Sequence, residues 1–287
     1  MESLKEIKKR INSVKSTRKT TSAMRMVSSA KLRKAEAVIT GMRPYSEALD
    51  DVMSSLIYGD TPTPLAEARP PRSVAIIAFS SDSSLCGAFN ANIIYKLAKT
   101  VSAYKKSLQG GNILVYTIGK KAYEAMRKLH IPTAANLEDL AGKADYNRIA
   151  DLATTLTELF IAKKVDRVEI LYHHLRSAGS QILTSEILLP VALPSAGAGK
   201  PSAPDEYILE PSAKRLLEVL IPKAIKLKLY TALLDSNASE HAARMIAMQT
   251  ATDNADDLVD QLTLEYNKSR QQAITNELLD IAGGSRK

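Results

Sequence analysis

Sixty consecutive residues, Lys223 to Ala282, contain neither glycine nor proline, and the first forty residues, Met1 to Thr40, lack both as well. As one helix, the C-terminal run would reach about 90 Å at 1.5 Å per residue. That is far beyond the usual globular helix. A chain that begins and ends this way, with something compact between, is built around a shaft. The first helix runs into the middle segment and the last runs out of it. If the two pack together they must be antiparallel, with both termini far from the middle domain. The longer last helix should then project beyond the first.

Charge is distributed unevenly along this frame. Residues 1–43 carry twelve Lys/Arg against three Glu, a net of +9, while the rest of the chain sums to −1. Such a stripe attracts nucleic acid, anionic lipid or an acidic protein surface, or is simply a solvated helix face. No apolar run approaches a membrane span, and Glu2 and Glu6 argue against a transit peptide. The lone cysteine, Cys86, excludes an intrachain disulfide framework and suits a reducing compartment. A cytoplasmic protein that reaches a membrane only through partners is expected.

In the first helix, Leu4, Ile7, Ile11 and Val14 follow the 3-4-3 spacing of a coiled-coil seam. The apolar pattern then weakens from Lys15 to Thr21 and resumes in another phase at Met24, Val27 and Leu32. Pro44 should kink or interrupt the helix. Residues 59–64 and Pro70-Pro71 read as a linker. The middle alternates strands (Ser73–Ser80, Asn112–Gly119, Arg167–His174) with helices (Asn90–Leu108, Lys120–Leu129, Asp145–Lys164). That order predicts a small parallel sheet with crossover helices, and Gln181–Val191 is a candidate further strand. Residues 194–204 read as a loop. A last helix starts after Pro211-Ser212, with a restart at Pro222. Its apolar positions, among them Ile225, Leu229, Leu233, Ile246, Leu258, Leu262, Ile274 and Leu278, keep no strict heptad.

The loop after the first strand, Ser80 to Asn90, sits where doubly wound folds bind ligands, yet it holds no glycine-rich dinucleotide motif and no lysine-bearing phosphate loop. Cys86 has no histidine in sequence context to activate it and reads as a small buried thiol. His173 and His174 are neighbours on a strand, so they point to opposite faces and cannot share a metal. His130 and His241 read as structural or exposed. Asp253, Asp256, Asp257 and Asp260 share one helical face and read as solvated or ion-paired. No catalytic residue, metal site or cofactor site is expected.

Three separated segments carry a resemblance. KEIKKRINSVKSTRKTTSAMRMVSSAKLRK (residues 5–34) is similar to the N-terminal signature of the gamma subunit of F-type ATP synthases. SEHAARMIAMQTATDNADDL (239–258) and YNKSRQQAITNELLDI (266–281) resemble that family's C-terminal helix. The loop with Ser81-Asp82, Leu85-Cys86-Gly87 and Asn90 is similar to its serine-aspartate, leucine-cysteine-glycine signature. The resemblance implies a fold of class α/β with long helices. An antiparallel coiled coil of the terminal helices (1–58 and 211–287) would stand beside a small Rossmann-like parallel-sheet domain (72–193). It also implies a role as the central rotor shaft, passing torque between the ion-driven membrane ring and the catalytic alpha/beta hexamer during ATP synthesis. The partners would be the alpha, beta and epsilon subunits and the membrane c-ring. The protein would be peripheral on the cytoplasmic side of a bacterial inner membrane, with no lipid insertion and no catalysis of its own.

Carried over residue by residue, the family motifs mark Arg244, Gln271 and Thr275 as polar contacts to the catalytic subunits, and Met24 and Arg25 as facing the beta levers. Ser83-Ser84 and Ala88 depart from the family's Arg-Gly and Gly, and the basic tail Gly283 to Lys287 departs from its mostly apolar end. The rival readings are a basic helical nucleic-acid-binding protein and a stand-alone enzyme on the Rossmann-like core. Tyr45 as the only aromatic in the first 45 residues makes base stacking poor.

Overall fold

Ser3 and Glu6 start the first helix by capping each other. The Ser3 N–H donates to Glu6 Oε2 at 2.9 Å and the Glu6 N–H donates to Ser3 Oγ at 3.3 Å, which satisfies donors the helix itself leaves open. The Ser3 backbone N–H, helped by the Ser3 hydroxyl, holds the Glu6 carboxyl below its ordinary pKa. The computed structural model describes residues 3–56, 63–108, 110–191, 210 and 212–284. The expected loop at 194–204 and most of the linker at 59–64 lie outside the described residues, while Pro64–Ala66 form a short 3₁₀ turn. The chain divides into two compact units, residues 1–30 with 244–287, and residues 31–243.

Two helices contribute to both units: α1, Leu4–Leu56, and α6, Ala213–Gly284. Pro44 does not interrupt its helix, and Pro222 does not start a new one. Pro44 lies inside α1 and Pro222 inside α6, with helix on both sides. A proline forfeits one backbone hydrogen bond. Buried anchors next to each one offset that loss, Leu49 and Met53 after Pro44, Leu217, Ile221 and Ile225 around Pro222. Ser212 Oγ accepts from the Arg215 N–H at 3.4 Å where α6 begins.

The larger unit is a five-stranded sheet, order β3-β2-β1-β4-β5. Its elements are β1 Ser73–Phe79, α2 Phe89–Ser107, β2 Asn112–Ile118, α3 Lys120–Lys128, β3 Ala135–Leu137, α4 Asp139–Gly142, α5 Tyr146–Ile161, β4 Arg167–Ser177 and β5 Ser180–Leu189. The β1-β2, β1-β4 and β2-β3 pairs are parallel, and β5 returns antiparallel along β4. Alternation across the strands fixes the layers. Val74, Ile76 and Ala78 face Ile93, Leu97 and Val101 of α2 and Met126 of α3. Ala75, Ile77 and Phe79 face Ile149, Leu156 and Phe160 of α5, together with Leu49 and Met53 of α1 and Ile225 and Leu229 of α6. The central strand β1 is therefore buried on both sides, which is why SVAIIAF reads as a continuous apolar run.

In the smaller unit, α1 and α6 pair antiparallel. Arg25 donates to the side-chain oxygen of Gln249, Thr21 and Thr252 share a hydroxyl hydrogen bond at 2.8 Å, and Arg18 meets Asp256 at 2.8 Å. Each step of three or four residues down α1 is thus answered by a step of four or three up α6. Continued at the same pace, this register sets Val14 against Val259, Ile11 beside Leu262 and Thr263, and Ile7 against Tyr266.

Burial overturns two readings of pattern. On α1 a strict 3-4 series of buried or half-buried positions runs from Leu4 to Leu56, broken only at Arg18. Leu32 belongs to this one phase, and Val27, 56% exposed, lies off it. On α6 a strict 3-4 series runs from Ala213 to Ala273. A heptad therefore does survive the length of the last helix as far as Ala273. Half of its positions hold small or polar residues such as Ala238, His241, Thr252, Ala255 and Ser269, so large apolar residues alone trace it only in part. Ile246, Ile274 and Leu278 stand outside it and are exposed.

Candidate functional site

The five residues marked from the sequence fall into two environments, all in the smaller unit. Met24, Arg25 and Arg244 lie in the paired part of the helices, while Gln271 and Thr275 lie beyond it. Arg25 is half-buried and held by Gln249, whose amide nitrogen donates in turn to Asp253 Oδ1 at 2.6 Å. Its guanidinium is therefore spent partly inside the chain. Met24, beside it, is half-buried, whereas Met26 and Val27 are 60% and 56% exposed. Arg244 is buried at 8% exposure. The Asp face is part ion-paired, through Asp256 and Arg18, and part exposed, at Asp257 and Asp260.

Past Arg270 the helix changes character. The register brings Leu4, the first residue of α1, level with about Arg270, so among the described residues α1 supplies no neighbour farther along α6. Gln271 and Thr275 are exposed, one turn apart on one face. The Thr275 hydroxyl donates to the Gln271 carbonyl at 2.9 Å, so its lone pairs and the Gln271 amide face outward. Beside them stand Ile274, Leu278, Leu279 and Ile281, between 47% and 70% exposed. Sequence reasoning counted Ile274 and Leu278 as ordinary apolar positions of the helix. The signal that sets them apart is arithmetic: an antiparallel partner that starts at Leu4 runs out before they are reached.

In the larger unit, the strand order reverses about β1, and the loop 80–88 leaves the sheet there. Ser80, Ser81, Asp82 and Cys86 of this loop engage one another and helix starts, while Leu85 is 58% exposed. Ser81 Oγ and the Cys86 sulfur lie 3.8 Å apart, and Asn90 Nδ2 donates to both, at 2.7 and 3.1 Å. Cys86 is 1% exposed, the small buried thiol expected. Asp82 Oδ1 accepts from the Lys120 N–H at 3.1 Å and Ser80 Oγ from the Ala122 N–H at 3.0 Å. The chain's own carboxylate and hydroxyl thus sit where an α3-bound phosphate would need to be. Gly119 makes this possible. It has φ +94°, and a Cβ there would come within 2.2 Å of the Ser80 carbonyl oxygen.

His173 and His174 do point apart. His173, on β4, is 2% exposed and stacks on Phe89 at 4.3 Å between ring centroids. Neither of its ring nitrogens has a hydrogen-bond partner among the described residues. Burial drives its pKa from 6.5 down to about 4, so it is neutral at neutral pH. His174 Nδ1 instead meets Asp235 of α6 at 2.6 Å. Burial raises the Asp235 pKa, an effect the His174 contact only partly offsets. Lys228 of α6 reaches Glu186 of β5 at 3.0 Å, and the Tyr172 hydroxyl donates to the same carboxylate at 2.8 Å. Burial works against the charged Glu186, but these bonds outweigh it and lower the pKa. With Ser239 Oγ donating to the His173 carbonyl at 3.0 Å, these bonds fasten α6 to the β4-β5 hairpin. Among the described residues, no three His, Cys, Asp or Glu side chains group as metal ligands, and no helix is long and apolar enough to cross a membrane.

Comparison with known proteins bears on the whole chain. A family model described as ATP synthase matches residues 3–286. The ATP synthase gamma chain of Bacteroides fragilis is 52% identical over 289 residues, covering 99% of both chains. That of Flavobacterium psychrophilum is 42% identical over 99% of this chain and 98% of its own. Among solved structures, a chain of the Euglena gracilis mitochondrial ATP synthase OSCP/F1/c-ring assembly superposes with a TM-score of 0.62 at 21% identity, covering 98% of this chain and 93% of that one. A chain of the Tetrahymena thermophila mitochondrial ATP synthase central stalk/c-ring gives 0.57 at 20% identity, covering 81% and 99%.

Proposed function

The chain belongs to the ATP synthase gamma-chain family, and from that membership we propose that it is the central rotor shaft of an F-type ATP synthase. It carries torque between the ion-driven membrane ring and the catalytic alpha/beta hexamer. The observation that carries this reading is the end of α6. Beyond its pairing with α1, a single helix exposes Gln271 and Thr275 on one face and Ile274, Leu278 and Ile281 beside them. A partner must cover that surface, and a helix turning in a sleeve needs side chains that release as readily as they bind.

The chain is a subunit of a complex that makes ATP, and itself performs no catalysis. The crevice at the strand-order reversal, where a nucleotide would bind, is filled by Ser81, Asp82, Cys86 and Asn90. In this assignment residues 1–58 and 211–287 form the shaft and 72–193 the α/β domain, which meets the epsilon subunit and the c-ring. Met24, Arg25, Arg244, Gln271 and Thr275 are the contacts to the hexamer. The protein is peripheral, on the cytoplasmic face of a bacterial inner membrane. The nucleic-acid reading loses ground because Arg18 and Arg25, two members of the basic stripe, are turned to Asp256 and Gln249.

A single-molecule assay tests the proposal. A bead is fixed to the α/β domain of this chain in complexes with alpha and beta subunits attached to glass. ATP should turn it in one direction. A stationary bead on complexes that hydrolyse ATP at full rate would overturn the reading.

A further inference from the structure

The middle of the α1/α6 pair is built from polar groups where a coiled coil usually places apolar ones. We propose that Arg18, Thr21 and Arg25, with Asp256, Thr252 and Gln249 opposite, form a register lock that holds the two helices at one axial setting. An apolar seam tolerates a slip of one heptad, because each large side chain finds another of the same kind. A directional hydrogen bond does not, and single polar layers are known to fix coiled-coil register at a cost in stability.

The bonds here are directional. The Thr252 hydroxyl lies 2.7 Å from the Met248 carbonyl and the Thr21 hydroxyl 3.0 Å from the Arg18 carbonyl, and the two hydroxyls, 2.8 Å apart, share one hydrogen bond in which one donates and the other accepts. Gln249 is fixed from both ends, its nitrogen donating to Asp253 and its oxygen accepting from Arg25. A slip of seven residues one way would set Thr21, 9% exposed, against Val259, and Arg18 against Thr263. The other way would set Thr21 against Met245 and Arg25 against Ala242. In the first case Arg25 could still reach Asp256, so the threonine pair is what rejects both alternatives. The inference concerns the helix pair alone and does not depend on the rotary reading.

Spin labels on the full chain read the register directly. Cysteines placed at the exposed positions Ser16 and Glu277 carry the labels, while the native Cys86, 1% exposed, stays out of reach. A heptad slip changes their separation by about 10 Å. With the native lock, one distance population is expected. In the variant Arg18→Leu, Thr21→Val, Thr252→Val, Asp256→Leu, a second population about 10 Å away should hold at least about a tenth of the molecules, with helical circular dichroism and melting temperature undiminished. If that variant loses helix, the near-isosteric pair Thr21→Val with Thr252→Val decides alone. One unchanged distance in a folded variant lacking the lock would show that the apolar ends set the register and overturn the proposal.

Discussion

A neutral histidine with two idle nitrogens inside the sheet domain is a liability that acid should expose. His173 has an ordinary pKa of 6.5 and a folded value of about 4. Above pH 6.5 both folded and unfolded chains hold it neutral, and the full stability is present. As pH falls from 6.5 to 4 only the unfolded chain takes up the proton, so stability drops, by about 3 kcal/mol in total. His173→Phe keeps an aromatic ring against Phe89 and removes the titration. Melting temperatures between pH 4 and 7 should therefore fall less steeply in the variant than in the native chain, and parallel curves would mean that His173 is already charged or hydrated. Gly119 offers a second test at this scale. Its positive φ and the 2.2 Å approach to the Ser80 carbonyl leave a methyl group no room. Gly119→Ala should cost more than about 1 kcal/mol, read as a lower denaturant midpoint. It should also loosen the Ser80 and Asp82 bonds that start α3, because those bonds depend on the same close approach.

Between elements, seam position rather than hydrophobicity decides what a side chain contributes. Leu262 is 3% exposed and lies on the 3-4 series of α6, whereas Leu258 lies off it and is only half-buried. Leu262→Ala should cost about 2–5 kcal/mol, and Leu258→Ala distinctly less, in thermal melts of the full chain. Equal losses would put both residues on the seam and contradict the register set by Thr21 and Thr252. That contrast also shows what was legible in the sequence. Strands β1, β2 and β4 announce themselves because apolar runs buried on both faces have no other explanation. Helices α2, α3 and α5 fall within a few residues of their expected bounds. β3 escaped notice, since Ala135–Leu137 is too short to show a period. The heptad of α6 was hidden because Ala, Ser, Thr and His hold half of its positions, and burial is a property of the neighbour as much as of the residue. Prolines 44 and 222 read as breaks because local propensity says so, while tertiary packing on both sides overrides it. Gln271 and Thr275 are marked as contacts only through family resemblance. The internal bond of Arg25 and the burial of Arg244 depend on side chains far away in sequence.

On the scale of the whole molecule, the polar and the apolar residues at the end of α6 pose separate questions. The polar pair and the apolar neighbours are on one helix, yet they should matter for different things. Covering Ile274, Leu278 and Ile281 removes apolar area from water at every rotary angle, so that contact favours assembly without distinguishing one angle from the next. The Gln271 amide and the Thr275 lone pairs need a partner with matching geometry, which under the proposed function a catalytic-subunit loop would offer at one angle and withdraw at another. Hydrogen bonds to a charged partner are worth about 1.5–3 kcal/mol, which corresponds to a rate change of roughly tenfold or more. The double change Gln271→Leu with Thr275→Val should therefore slow ATP turnover and ion pumping by the complex while its subunit content stays normal. Ile274→Ser with Leu278→Ser should do the reverse, lowering the yield of assembled complex while those complexes that do form turn over near the native rate. Steady-state hydrolysis, normalised to assembled complex measured by subunit content, separates the two. Native turnover in fully assembled Gln271→Leu, Thr275→Val complexes would reduce those residues to solvent-facing positions and leave Ile274, Leu278 and Ile281 as the side chains that matter at the tip.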